Sequence, residues 1–249
     1  MRDSNKFNTI VLHRVIDGKA LDFIDIDLKS LKSILSKSEF NFCSIDKAYA
    51  DKIHERSNIC LTFDDGFSSD YYLVLPELKK IDATATFFIV TDLLDTPGYL
   101  KTGQVKSLSE SGMQIGSHSK SHPNFLKLNA DERMEELRAS KVILEKIIGK
   151  ELTTFSFPFG FCDDACIKAV FDANYSICCT SEHGLSSISS SIVPRNSINA
   201  HISLSRIDKI LRAGLTQQSL WKLEDIIKEN MKKFLPRPYA VIRRFFSKF

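Results

Sequence analysis

Hydrophobic positions along the middle of the chain switch repeatedly between continuous runs and a 3.6-residue period. Ile59 to Phe63 and Thr84 to Val90 are unbroken β-rich runs, and Met113 to Ser117, Thr153 to Phe157 and Tyr175 to Cys179 read as further strands. Between them the spacing is helical. Leu75 and Leu78 share one side of Tyr71 to Lys80. Met134, Leu137, Leu144, Ile147 and Ile148 share a face over Asp131 to Ile148, with Asn129 as N-cap and Gly149 as the terminating residue. A helix near Asp163 to Asp172 precedes the Tyr175 strand. Strand, helix and strand at this spacing predict parallel pairing with right-handed crossovers. An open doubly wound sheet and a barrel both satisfy that pattern, since each buries its strands on two faces. Ser186 to Ser191 reads as a serine-rich loop, and Pro236 and Pro238 break the chain before a last segment, Tyr239 to Phe249.

Composition narrows the class. The chain has 249 residues, 43% hydrophobic and 26% charged, which excludes disorder, collagen-like repeats and coiled coil and needs no disulfide staples. The formal net charge of +3 is too small to imply a nucleic-acid partner. It is also unevenly placed: Lys222 to Lys248 carries a net +5, so the body is slightly acidic and the tail basic. That tail mixes Arg243, Arg244 and Lys248 with bulky apolar residues, a pattern of membrane-surface helices and equally of a terminal helix packed on the body. Met1 is followed by Arg2, Asp3, Ser4, Asn5 and Lys6 with no apolar run, so the expected location is cytoplasmic, with possible peripheral contact at the inner membrane face. The six cysteines show no Cys-x-x-Cys spacing and read as reduced, mostly buried thiols.

Two short segments carry chemistry. Thr62-Phe63-Asp64-Asp65-Gly66-Phe67 puts two carboxylates at the end of an apolar strand, where successive side chains point apart and can take different tasks. His118-Ser119-Lys120-Ser121-His122-Pro123 puts two imidazoles four residues apart just past another strand. The glutamate of the helical H-E-x-x-H motif is missing, and Ser119 stands in its place. If the strands are parallel, both segments lie at the C-terminal end of the sheet, where active sites of such folds are built. One carboxylate with two imidazoles makes a three-ligand metal site with open positions. The same set suits non-haem iron oxygenases, so it is the spare aspartate, a base beside a water, that favours a hydrolase.

These segments resemble the first two motifs of the polysaccharide deacetylases, the NodB-homology domain of carbohydrate esterase family 4. The order of Leu75-Pro76-Glu77-Leu78, Ala85-Thr86-Phe87-Phe88 and Gly112 to His118 is similar too, and Phe157-Pro158-Phe159-Gly160 resembles the third motif. The resemblance runs over roughly His13 to His201. It implies a single-domain deformed (β/α) barrel over residues 1–215, with a basic helical extension over 216–249. It further implies a hydrolase of carbon–nitrogen bonds that removes an N-acetyl (or O-acetyl) group from a sugar in cell-surface polysaccharide metabolism. In those terms Asp65, His118 and His122 hold a divalent metal (Zn2+, with Co2+, Ni2+ or Fe2+ as alternatives). Asp64 is the general base, and the N–H of Phe159 meets the oxyanion.

Departures from the pattern keep other readings open. Ser156 stands where many members have the arginine that orients the base; Arg195 is either its replacement from another strand or a surface residue. The general acid is His13, at the end of Thr9 to Val15, or His201 in the late-chain region. His183 and His54 read as solvated, and Trp221 as a packing residue. The missing arginine also admits a non-catalytic carbohydrate-binding relic of the fold, and small-substrate relatives admit a hydrolase of a cyclic amide or imide.

Overall fold

The computed structural model describes residues 6–20, 22–52 and 57–234. His54, Pro236, Pro238 and the Tyr239 to Phe249 segment lie outside the described residues. The chain opens with β1 (Lys6–Leu12), the short β2 (Val15–Ile16) and β3 (Ile26–Asp27), α1 (Leu28–Leu35), β4 (Asn41–Cys43) and α2 (Ile45–Ala50). There follow β5 (Asn58–Phe63), a π-helical turn Asp70–Val74, α3 (Leu75–Lys80), β6 (Thr86–Ile89), α4 (Thr102–Glu110) and β7 (Gln114–Ser117). The second half adds α5 (Ala130–Ile148), β8 (Thr154–Ser156), α6 (Asp164–Asp172), β9 (Ile177–Cys179) and β10 (Leu185–Ser187). It ends with β11 (Ile192–Val193), β12 (Asn196–Ser197), α7 (Leu204–Arg212) and α8 (Leu215–Phe234).

The main sheet runs β10-β1-β5-β6-β7-β8-β9-β11, with parallel pairing from β1 to β11 and β10 antiparallel on β1. It curls into a nearly closed barrel, which decides between the two architectures the sequence pattern allowed. The seam is made by one stretch of chain. β11 pairs with β9, and β12, separated from it only by Pro194 and Arg195, pairs with β1 at Ile10↔Asn196 and Val11↔Ser197. Ser186 adds a polar stitch across that seam, bonded to Thr9 Oγ1 at 2.7 Å and donating to the Pro194 carbonyl at 3.2 Å.

All six residues of β5 are buried, as a strand covered on both faces requires. Phe63 stacks on Phe87 at 5.2 Å, and Phe125, Phe155 and Phe157 pack edge-on at 5.1–5.4 Å. The long helix α5 begins and ends where its sequence predicts. Asn129 and Glu132 form a reciprocal capping box, and Gly149 closes the helix in the left-handed region at φ 66°. Leu137 and Leu144 are buried in the core, with Met134, Ile147 and Ile148 packed against it.

Two expectations change. Tyr71 to Lys80 is a π-helical turn running into a shorter α-helix. The serine-rich segment is no plain loop: Leu185 to Ser187 pairs with Lys6 to Asn8 as β10. Trp221 packs as its sequence reading expects: it is 3% exposed within the same core as β1 and β5 and binds the first turns of α8 to the barrel.

A candidate metal centre and its surroundings

Each side chain of the site leaves a strand end through an unusual backbone turn. β5 stops at Phe63; Asp64 then donates its N–H to the Leu12 carbonyl (2.9 Å), and Asp65 adopts φ 76°. Past β7, Ser119 and His122 sit at φ 71° and 61°. Residues other than glycine seldom occupy this region, and here it swings the side chains of separate strands toward one point. The loop is anchored by Glu136 of α5, whose carboxylate accepts from the N–H groups of Lys120 (2.9 Å) and Ser121 (2.8 Å) and from Ser121 Oγ (2.6 Å).

Asp65, His118 and His122 converge. Asp65 Oδ1 lies 3.4 Å from His118 Nε2 and 3.3 Å from His122 Nε2, and the three donor atoms lie within 4.8 Å of one another. His118 is 1% exposed. Its Nδ1 is 2.8 Å from the Ser156 carbonyl, which can only accept, so Nδ1 carries the proton and the Nε2 lone pair faces Asp65. Burial lowers the His118 pKa to about 4 despite the nearby Asp64 charge, so the ring is neutral at pH 7. Burial works against the charged form of Asp65, but the approach of His122 and the nearby imidazoles of His13 and His118 outweigh it and lower its pKa. A carboxylate and two imidazoles aimed at one point fit a divalent cation of the zinc type in number and donor chemistry.

Asp64 is held in a different manner. Arg195, 1% exposed, grips it through two hydrogen bonds, Nη1 to Oδ1 at 2.7 Å and Nη2 to Oδ2 at 2.8 Å. The same guanidinium donates to Ser156 Oγ (2.6 Å), Thr62 Oγ1 (3.1 Å) and the Thr180 carbonyl (3.2 Å). Burial opposes ionisation of Asp64, yet the Arg195 charge and hydrogen bonds win and its pKa is lowered. Arg195 is therefore a buried partner of Asp64 and not a surface residue. The small Ser156 leaves room for it and accepts one of its protons.

The other sequence candidates divide. His13, just past β1, lines the same cavity of about 570 Å³ as Asp64, Asp65, His118 and His122. Phe159 stands at φ 59° and ψ 3° in the turn after β8, its ring 4.4 Å from that of His122. Gly160 follows at φ 65°, where a Cβ would run into the Ser181 side chain, so this turn packs on the loop after β9. His201 is exposed and sits outside the cavity lining, its ring 5.5 Å from Phe23 at the rim. His183, expected to be solvated, is 14% exposed and bonded to Asp225 of α8. Reasoning from sequence also missed Asp70. It is fully buried, and neither carboxylate oxygen has a hydrogen-bond partner among the described residues. Burial, then the charges of Asp65 and Asp64, push its pKa well above the carboxylate range. No single-sequence signal marks it, because Ser-Asp after a glycine turn reads as an ordinary helix start.

Residues 51–178 match a family model described as polysaccharide deacetylase. The chain is 33% identical over 124 residues to the Bacillus subtilis peptidoglycan-N-acetylmuramic acid deacetylase PdaA, covering 49% of this chain and 43% of that protein. A Bacillus cereus peptidoglycan-N-acetylglucosamine deacetylase is 28% identical over 125 residues, 50% of this chain and 44% of that one. The chain thus spans about half the length, or less, of these curated relatives. Among solved structures, the Streptococcus pyogenes deacetylase PplD in complex with acetate superposes with a TM-score of 0.75 at 22% identity, over 83% of this chain and 98% of that one.

Proposed function

Because the chain belongs to the polysaccharide deacetylase family, we propose that it is a metal-dependent hydrolase that removes the acetyl group from an N-acetylated (or O-acetylated) sugar of a glycan or glycan precursor. The observation that carries this reading is the contrast between two neighbouring carboxylates. Asp65 shares a point with two imidazoles, while Asp64, ionised and locked by Arg195, stands beside that point with nothing of its own to ligate. The names of the aligned relatives, which act on N-acetylated amino sugars of peptidoglycan, support the substrate class.

Asp65, His118 and His122 would hold the cation, which when bound polarises an acetyl carbonyl and makes a water more acidic. The remaining steps belong to the chain. Each Asp64 oxygen gives one lone pair to Arg195 and keeps another, so the carboxylate can take the proton of a water attacking the carbonyl carbon. Arg195 fixes the carboxylate plane, and its five donors reach Asp64, Ser156, Thr62 and the Thr180 carbonyl, so it cannot rotate away without breaking several bonds. The turn that presents Phe159 offers its backbone N–H to the oxyanion. His13 returns a proton to the leaving nitrogen as the C–N bond breaks, releasing acetate and an amine. The missing third-motif arginine, which left room for a non-catalytic relic, is offset by Arg195.

The test is acetate release from N-acetylated oligosaccharides by protein of measured metal content. Activity should vanish on chelation and return with Zn2+, and Asp64→Asn should lower kcat by about 10²–10⁴-fold. Full turnover by Asp64→Asn would remove the base from the scheme.

A further inference from the structure

His183 reaches the barrel mouth by a route that no motif describes. It lies in the loop after β9, yet three groups on or near α8 fix it. Its Nδ1 is 2.8 Å from Asp225 Oδ1, and its backbone N–H donates to Asp225 Oδ2 at 3.3 Å. The ring lies parallel to the buried indole of Trp221, at 6.3 Å and 2°. Glu224 Oε2 is 4.0 Å from Nε2 and is part of a carboxylate that Arg206 holds through its other oxygen at 2.6 Å. A solvated histidine needs none of this. The imidazole has its face set by Trp221 and its rotation set by Asp225, and it lines the same cavity as Asp65 and His118.

Position around the barrel decides what it meets. The metal candidates come from the ends of β5 and β7; β9 stands two places beyond β7, past the turn that carries Phe159. On the deacetylase reading, an acetyl group at Asp65 would leave the β9 wall, which lines the same cavity, to the unit next along a glycan. An oriented imidazole can donate to or accept from a hydroxyl, which suits it to carbohydrate.

We propose that His183, oriented by Asp225, binds a hydroxyl of the sugar unit adjoining the acetylated one, so that α8 is part of the substrate site. The proposal rests on the deacetylase reading, and two independent readouts separate their failures. The first compares kinetics on N-acetylglucosamine and on its linear β-1,4 tetramer, using zinc-loaded wild type, His183→Ala, His183→Asn and Asp225→Asn. His183→Ala should raise KM for the tetramer about tenfold more than for the monomer, with kcat on the tetramer within about twofold. His183→Asn, which keeps a hydrogen-bonding group, should recover part of the loss, and Asp225→Asn should fall between. The second readout is emission from Trp221, the only tryptophan in the chain, during titration with the tetramer. The wild type should respond, and His183→Ala should respond only at about tenfold higher tetramer concentration.

Equal losses on monomer and tetramer, a fall confined to kcat, or wild-type emission indifferent to the tetramer would each overturn the proposal. If the wild type releases no acetate from either sugar, the deacetylase reading falls, and the emission titration alone then decides whether His183 binds glycan. If His183→Ala does not fold, the Asn variants carry both measurements.

Discussion

The two ends of the barrel use the same rare backbone conformation for opposite purposes. At the end where strands begin, Lys52, Asp82, Gly112, Gly149 and Asn174 take positive φ directly after helices, each turning the chain out of a helix and toward the next strand. Among these, Lys52, Asp82 and Asn174 are exposed, so any polar residue that tolerates the turn serves. At the end where strands finish, Asp65, Ser119, His122 and Phe159 take the same conformation, and there the side chain is the point. The second end also buries Asp64, Asp70, His118 and Arg195. One end spends left-handed residues on stopping helices; the other accepts strain and buried charge to aim groups at a common point.

The contrast should break most visibly at Arg195. Arg195→Met leaves Asp64 buried without its cation and should cost about 3–5 kcal/mol in denaturant unfolding, with acetate release lost as well. Adding Asp64→Asn to that variant should recover much of the stability and none of the activity. If Arg195→Met were as stable as the wild type, the buried pair would not be a keystone of the mouth.

Acid should also act on the mouth first. His118 has a folded pKa of about 4 against an ordinary value near 6.5, so below pH 6.5 the unfolded chain binds a proton that the folded chain refuses. Stability should therefore fall by about 3 kcal/mol between pH 6.5 and 4 in chelator-treated protein, then stop falling on this account. A flat stability profile across that window would contradict the buried neutral ring.

Asp70 has the opposite sign. Its raised pKa keeps it protonated in the fold while the unfolded chain ionises above about pH 4, so this group lowers stability as pH rises from there. Asp70→Asn should raise stability at pH 7 by about 1–3 kcal/mol and flatten that slope, read by thermal unfolding at two pH values. The smallest effect belongs to the other end: Asp82→Gly should stabilise by up to about 1 kcal/mol without altering acetate release, because there the side chain only pays for its turn.

What the sequence disclosed follows the reach of each interaction. The capping box of α5 and the burial of β5 are local or periodic, and they are legible in a single chain. Asp64, Asp65, His118 and His122 stand in short motifs at strand ends, and parallel order is enough to predict that they meet. Arg195 was legible only as an alternative, because its hydrogen bond to Asp64 spans 131 positions and depends on how the barrel closes. The seam strands β11 and β12 are two residues each, too short for any period to show. The His183–Asp225 contact joins a loop to a helix 42 positions away, and neither partner carries a local signature.

The forked stretch from β11 to β12 ties chemistry to the timetable of synthesis. A nascent chain that has emerged as far as Gly160 already contains every residue proposed to grip the cation, together with the base and the acid. It lacks the guanidinium that steadies Asp64, because that arrives only with the segment that zips the first parallel strand to the last. On the proposed reading, competence would therefore switch on together with barrel closure, and a chain cut short before Arg195 would release no acetate from glycans.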